Sequence, residues 1–188
     1  MLSYLESLRM KKILCTVFLA FILIPFIAFA DENIIKIISI HDGDTLTVIN
    51  DNNKKVKIRL FGIDAPETTQ KYGQASRDYL RRIVKGKNLS YKIRSQDDYG
   101  RVVATLFGNG KDLNYEMIKA GYAWHYKYYN KSKEYADAEK NARNQKIGLW
   151  KGANPQAPWE YRRENKQNNN DDMEDLMRSL LKAAKYLF

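Results

Sequence analysis

Five residues in this chain have the types and spacing to do chemistry on a phosphate ester: Asp44, Arg59, Asp64, Glu67 and Arg101. The stretch Arg59-Leu60-Phe61-Gly62-Ile63-Asp64-Ala65-Pro66-Glu67 holds a cation, a candidate metal ligand five residues on, and a second carboxylate past a proline. Attack on a phosphodiester needs a group that activates or orients water, a metal that binds a phosphoryl oxygen, and fixed positive charge where the dianionic transition state develops. Each function has a candidate here. Asp42-Gly43-Asp44-Thr45 adds a carboxylate at the start of a strand, and Asp97-Asp98-Tyr99-Gly100-Arg101 delivers a second arginine from a turn. Two carboxylates with a backbone carbonyl and water suit a hard cation such as Ca2+. Arginine suits phosphate because its planar fork grips two oxygens and stays charged at any working pH. Taken singly, the same residues also read as turn aspartates and solvated strand-end cations.

The elements that must position these groups are mostly strands. Residues 34–40, 45–49, 56–60, 89–94 and 102–107 alternate β-branched and polar side chains, and turns at Asp51-Asn52-Asn53 and Gly108-Asn109-Gly110 punctuate them. If the second and third strands pair as a hairpin, Asp44 and Asp64 meet at one end of the sheet. Helical spacing predicts three helices, over 74–85, 114–120 and 132–146, stopped by Gly86, Gly121 and Gly148. The fold expected is α+β: a five-stranded OB-type β-barrel with three helices. A polar Asn/Gln/Asp linker follows at 164–172, then an amphipathic helix at 173–188, whose Met173, Leu176, Met177 and Leu180 share one face.

Asp42-Gly43-Asp44-Thr45, Arg59-Leu60 with Gly62-Ile63-Asp64-Ala65-Pro66-Glu67, Tyr72-Gly73 and Asp98-Tyr99-Gly100-Arg101 together resemble the signature of the staphylococcal-type thermonucleases. The match runs in order, with similar spacing, over about residues 35–150. Asn114, Gly148-Leu149-Trp150 and the trailer Pro158-Trp159-Glu160-Tyr161-Arg162 are similar as well. The resemblance implies that Asp44 and Asp64 bind Ca2+ with help from the carbonyl of Ala65, where the best-known member has threonine. It implies that Glu67 is the general base or water-orienting group and that Arg59 and Arg101 contact the scissile phosphate. DNA and RNA would both be cut without sequence preference, leaving 3′-phosphate ends. Tyr99, Tyr126 and Tyr128 are the candidates for nucleotide contact, although the run Tyr122-Ala123-Trp124-His125-Tyr126-Lys127-Tyr128-Tyr129 aligns only approximately with the family's tyrosines.

Composition agrees with a polyanionic partner. The chain of 188 residues carries 32 Lys and Arg against 22 Asp and Glu, a formal charge of +10. Residues 31–163 hold 25 of the basic and 16 of the acidic groups, so the surplus belongs to the central domain, the nuclease-like unit of this reading. Lys11-Lys12, an apolar run over 13–30 and Ala28-Phe29-Ala30 before Asp31-Glu32 have the grammar of a cleaved signal peptide at 1–30. Met10 is an alternative start. An uncleaved anchor is the competing address, and secreted or periplasmic export the expected one. The single cysteine, Cys15, lies in the leader, so the mature chain needs no disulfide. His41 and His125 lack the partners of a zinc site, and no Ser-His-Asp set or phosphate-cradling glycine loop is present. A monomer is expected, with the 173–188 helix available to a membrane surface or a protein. The alternative to a nuclease is a non-catalytic OB module that binds nucleic acid or protein.

Overall fold

Alternation of buried and exposed side chains makes the strands. Leu46 and Val48 on one strand and Ile58 and Leu60 on the next are fully buried, while the residues between them point the other way. The computed structural model describes residues 33–184, which fall within one compact unit. The leader read at 1–30, with Cys15 and Met10, and the last four residues of the chain lie outside the described residues. Strands β1 (Asn33–Ile40), β2 (Thr45–Asn50) and β3 (Lys55–Leu60) form an antiparallel meander. The β2–β3 turn uses Asn53 at φ 55°, a conformation asparagine tolerates better than most residues. β4 (Ile63–Asp64) follows at once, then α1 (Gly73–Val84), β5 (Leu89–Gln96), β6 (Val102–Gly108) and β7 (Lys111–Asp112). The chain continues through α2 (Leu113–Lys119), β8 (Trp124–His125), α3 (Lys133–Asn144), a 3-10 turn (Gly148–Lys151) and α4 (Pro158–Ala184).

The larger sheet runs β3-β2-β1-β5-β6-β7, and β3 also pairs with β6 in parallel, Arg59 opposite Val103. The five longer strands expected from sequence are therefore all present, together with three two-residue strands that were not expected. β4 pairs with β8 in a separate two-stranded ladder, Asp64 opposite Trp124. The main core gathers Leu46, Ile58, Leu60, Leu80, Leu106, Leu113, Met117 and Ile118 between sheet and helices. A second cluster lies at the β8 end: Trp124, Ala142, Leu149, Trp150 and Ala157, with Tyr72, Ile147 and Trp159 against it.

Two caps fix the helices as their sequences require. Asp112 accepts a hydrogen bond from the Tyr115 N–H at 2.9 Å, and its other oxygen accepts from the Tyr135 hydroxyl at 2.7 Å, tying α2 to α3. Ser132 caps α3. Asn114 is fully buried on α2. Its Oδ1 accepts from the Leu106 N–H at 3.0 Å, and its Nδ2 donates to the carbonyls of Phe61 at 2.9 Å and Ala104 at 3.2 Å. That side chain pins the bend after β3 to β6.

One reading differs from the structure. The expected linker at 164–172 is helical, part of a single helix from Pro158 to Ala184, so the tail is one 27-residue helix and not a linker plus a helix. No Gly or Pro follows Pro158 within it to stop the helix, and an Asn/Gln run reads as solvated whether coiled or helical. The terminal helix expected from residue 173 thus begins at Pro158. The Met173, Leu176, Met177 and Leu180 stripe is exposed.

Candidate active site

The Asp42–Asp44 loop is held in place before any chemistry is considered. One Asp42 carboxylate oxygen accepts from the backbone N–H groups of Asp44 at 2.8 Å and Thr45 at 2.6 Å, and the Leu60 N–H donates to the Asp44 carbonyl at 2.8 Å. Gly43 allows close approach: a Cβ there would lie 1.9 Å from Ser76 Oγ and 2.8 Å from the Ala65 Cβ. Asp44 is therefore pressed against the segment that follows β4. Its Oδ2 accepts from the Ala65 N–H at 2.6 Å, and its Oδ1 from the Thr45 hydroxyl at 3.0 Å.

Arg59, at the end of β3 and opposite Thr45, joins the two aspartates. Its NH1 lies 3.2 Å from Asp44 Oδ2, and its NH2 donates to Asp64 Oδ1 at 2.9 Å. NH1 also donates to the carbonyls of Leu60 at 3.0 Å and Ile63 at 2.9 Å, which fixes the guanidinium in the bend. The carboxylates are 5% and 1% exposed as residues, so neither is satisfied by bulk water. Burial pushes Asp44 up to about 7 despite the opposing charge of Arg59 and the Ala65 N–H, and nearby Asp42 adds to the rise. Burial likewise raises Asp64, against the pull of Arg162 and with Asp44's charge adding to it.

Glu67 sits three residues beyond Asp64 on a loop tied to Gln70. The Gln70 N–H donates to the Glu67 carbonyl at 2.8 Å, and Gln70 Oε1 accepts from the Glu67 N–H at 3.2 Å. Gly73 is required beneath it, because a Cβ there would lie 1.8 Å from the Glu67 carbonyl oxygen. Gln70 Nε2 reaches the carbonyl of Gln156 at 2.8 Å, and the Tyr161 hydroxyl reaches Thr69 Oγ1 at 3.0 Å. The start of α4 is thereby laced to the Glu67 loop.

That lacing delivers a residue whose part in the site sequence reasoning missed. Arg162 NH2 donates to Asp64 Oδ2 at 2.7 Å, and its NH1 donates to Glu67 Oε1 at 2.8 Å and Asp64 Oδ1 at 3.2 Å. Trp159, one helical turn earlier, seats the turn: its ring meets Trp124 edge-on at 5.4 Å and stacks on Tyr126 at 5.8 Å. The available signal was the i,i+3 spacing of Trp159 and Arg162 behind a helix-starting Pro158. With all five groups ionised, Asp44, Asp64 and Glu67 set three negative charges against two positive from Arg59 and Arg162.

Arg101 stands apart from this group. Its Nε donates to Asp97 Oδ2 at 2.7 Å and its backbone N–H to Asp97 Oδ1 at 2.9 Å, and among the described residues none of its hydrogen bonds runs to Asp44, Asp64 or Glu67. Burial is the largest single influence on Asp97 and opposes its ionisation, but these bonds, the arginine charge and a bond from the Tyr99 N–H together outweigh it and hold the carboxyl below its usual range. Register still brings Arg101 near: it lies two residues before Val103, the partner of Arg59.

The aromatic candidates divide. Tyr99, under the Arg101 guanidinium at 5.5 Å, is 86% exposed, and Tyr128 is 75% exposed. Tyr126 is partly covered by Trp159 and Tyr129. His125 is buried with Nε2 at 2.8 Å from the Asn130 carbonyl, and His41 Nε2 lies 2.8 Å from Thr47 Oγ1.

Does the donor set fit a cation? Asp44 and Asp64 are buried, hard oxygen donors, and guanidinium groups already meet them, Arg59 both and Arg162 Asp64, so a cation there competes with arginine for these oxygens. A hard dication fits if substrate and water complete its shell, because among the described residues no third His, Cys, Asp or Glu joins them as a ligand group.

Residues 57–152 match the family described as staphylococcal nuclease homologue. A protein of Haemophilus influenzae named an uncharacterized endonuclease is 38% identical over 158 residues, covering 84% of this chain and 89% of that one. A like-named protein of Escherichia coli is 39% identical over 128 residues, covering 68% and 83%. A staphylococcal-like nuclease of Arabidopsis thaliana is 44% identical over 117 residues, covering 62% of this chain but only 36% of its own length. The chain thus spans about a third of that plant relative.

Proposed function

The chain belongs to the staphylococcal nuclease homologue family, and from that membership and the geometry of the site we propose that it is a Ca2+-dependent endonuclease. The substrates on this reading are DNA and RNA, cut without sequence preference to leave 3′-phosphate ends. The observation that carries it is the bridge made by Arg59 between two buried carboxylates, 2.9 and 3.2 Å away, at the bend that leads to Glu67. The β3–β6 pairing supports an OB-type barrel as the scaffold.

Asp44 and Asp64, with the carbonyl of Ala65, are the residues to hold Ca2+, which would supply charge for a phosphoryl oxygen. Glu67 takes a proton from the attacking water as the water oxygen bonds to phosphorus and the bond to the 5′ oxygen breaks. Arg59 already lies against the aspartates and meets the phosphate there. Arg101 leaves Asp97 to share the growing negative charge. Tyr99 and Tyr128 offer exposed rings for bases to stack on, beside Arg101 and Lys127 respectively, and Tyr126 borders the site. The surplus of positive charge on residues 31–163 favours encounter with the polyanion.

The test is digestion of heat-denatured DNA with Ca2+ and with chelator, for the wild type and Glu67→Gln. We expect cleavage that chelator abolishes and a kcat lower by roughly 10²–10⁴-fold in the variant, the range for a general base. Binding without cleavage by the wild type would refute the nuclease reading in favour of a binding module. We also infer export of a monomer after removal of 1–30, with the tail helix free to meet a membrane surface or protein.

A further inference from the structure

The site contains one charged group that the reading above does not use. Arg162 comes from α4, 98 positions after Asp64 in the chain, and spends its fork on two different carboxylates. It holds Oε1 of Glu67 at 2.8 Å, and Oε2 has no hydrogen-bond partner among the described residues. The other arm is anchored on Asp64 Oδ2 at 2.7 Å. Asp64 is 1% exposed and itself fixed by Arg59, so it is a rigid post, whereas the Glu67 side chain is 36% exposed and, among the described residues, has Arg162 as its one ion-pair partner. A half-exposed glutamate that must present one oxygen to water needs such a brace, because a free side chain would sample several rotamers. Behind Arg162, Trp159 and Tyr161 set the start of the helix.

We propose that Arg162 is a positioning residue for the reaction: it fixes Glu67 through one carboxylate oxygen and leaves the other to take the proton of the attacking water. The inference rests on the nuclease reading. It carries a second consequence at the cation site. Arg162 places a positive charge directly on Asp64, an assigned cation ligand, and so opposes a dication there; the enzyme trades some metal affinity for a fixed base.

Arg162→Met in the full-length chain tests both parts. The expected result is a kcat lower on the order of 10- to 100-fold, as for a displaced reacting group, with KM for DNA changed by less than about threefold. Calorimetric titration with CaCl2 in the absence of nucleic acid is expected to give binding at least as tight as wild type, and roughly tenfold tighter even where water screens the lost charge fully. Arg162→Lys keeps the charge but loses the fork, so its kcat falls between wild type and Arg162→Met; this variant also decides the matter if the methionine variant fails to fold by circular dichroism. An unchanged kcat in a folded Arg162→Met or Arg162→Lys overturns the proposal, as does weaker Ca2+ binding in step with lost activity, which would make Arg162 a support of the cation site. A wild type that cleaves and binds Ca2+ while the variants match it sinks this inference alone. A wild type that does neither overturns the nuclease reading, and this proposal with it.

Discussion

Replacing Asn114 with alanine should unfold this protein far more readily than its small volume change suggests. The side chain is fully buried and spends both ends of its amide on backbone. Its Oδ1 is the partner of the Leu106 N–H at 3.0 Å, and its Nδ2 the donor to the Phe61 carbonyl at 2.9 Å. The third partner, the Ala104 carbonyl, keeps a bond from the Phe61 N–H at 2.8 Å after the substitution, so it is not orphaned. Two buried backbone groups therefore lose their partner, at about 1–3 kcal/mol each. The expected loss is about 2–6 kcal/mol, a large part of the roughly 5–15 kcal/mol available to an ordinary domain. Urea unfolding followed by far-UV circular dichroism measures it. Activity should fall as well, because Phe61 begins the bend that carries Asp64. A loss under about 1 kcal/mol would refute the reasoning, since two unsatisfied buried groups cannot cost so little unless water enters.

Two further outcomes are expected. Burial, then the charge of Asp112 and the hydrogen bond to it, raise the Tyr135 hydroxyl well above its ordinary value. The folded state then holds a proton that the unfolded state releases near pH 10. Stability from this group is fully present below about pH 10 and is lost as pH rises, at up to about 1.4 kcal/mol per pH unit. Alkaline unfolding of Tyr135→Phe should accordingly be less steep than wild type above pH 10, and parallel curves would count against the assignment. For the leader, mass spectrometry of the exported protein should find Asp31 at the N-terminus; retention of residues 13–30 would point to an anchor.

How much of this was legible in the sequence follows from range. Leu46 with Val48 and Ile58 with Leu60 betray their strands by alternation, Asn53 and Asn109 their turns by tolerance of positive φ, and Asp112 and Ser132 their helices by capping. All of these signals act within a few residues. The convergence of Asp44, Arg59 and Asp64 was readable because the β2–β3 hairpin is itself local. The β4–β8 ladder was not, since two-residue strands carry no periodicity, nor was the hold of Arg162 on Asp64 and Glu67, which depends on how α4 docks. The Asn/Gln run at 164–172 misled because every residue in it is exposed: solvent exposure looks the same in a coil and on a helix.

The second core has a practical side. The chain's three tryptophans, Trp124, Trp150 and Trp159, all lie in or against that cluster, and the main core between sheet and helices contains none. Trp124 pairs through its backbone with Asp64, while its ring touches both other indoles, at 4.5 and 5.4 Å. Emission excited selectively at tryptophan, beyond the absorption of the tyrosines such as Tyr91 in the sheet, is thus a private channel to the seam where α4 meets the candidate active site. Recorded beside circular dichroism, it would reveal whether the seam opens before the sheet melts, with no label added.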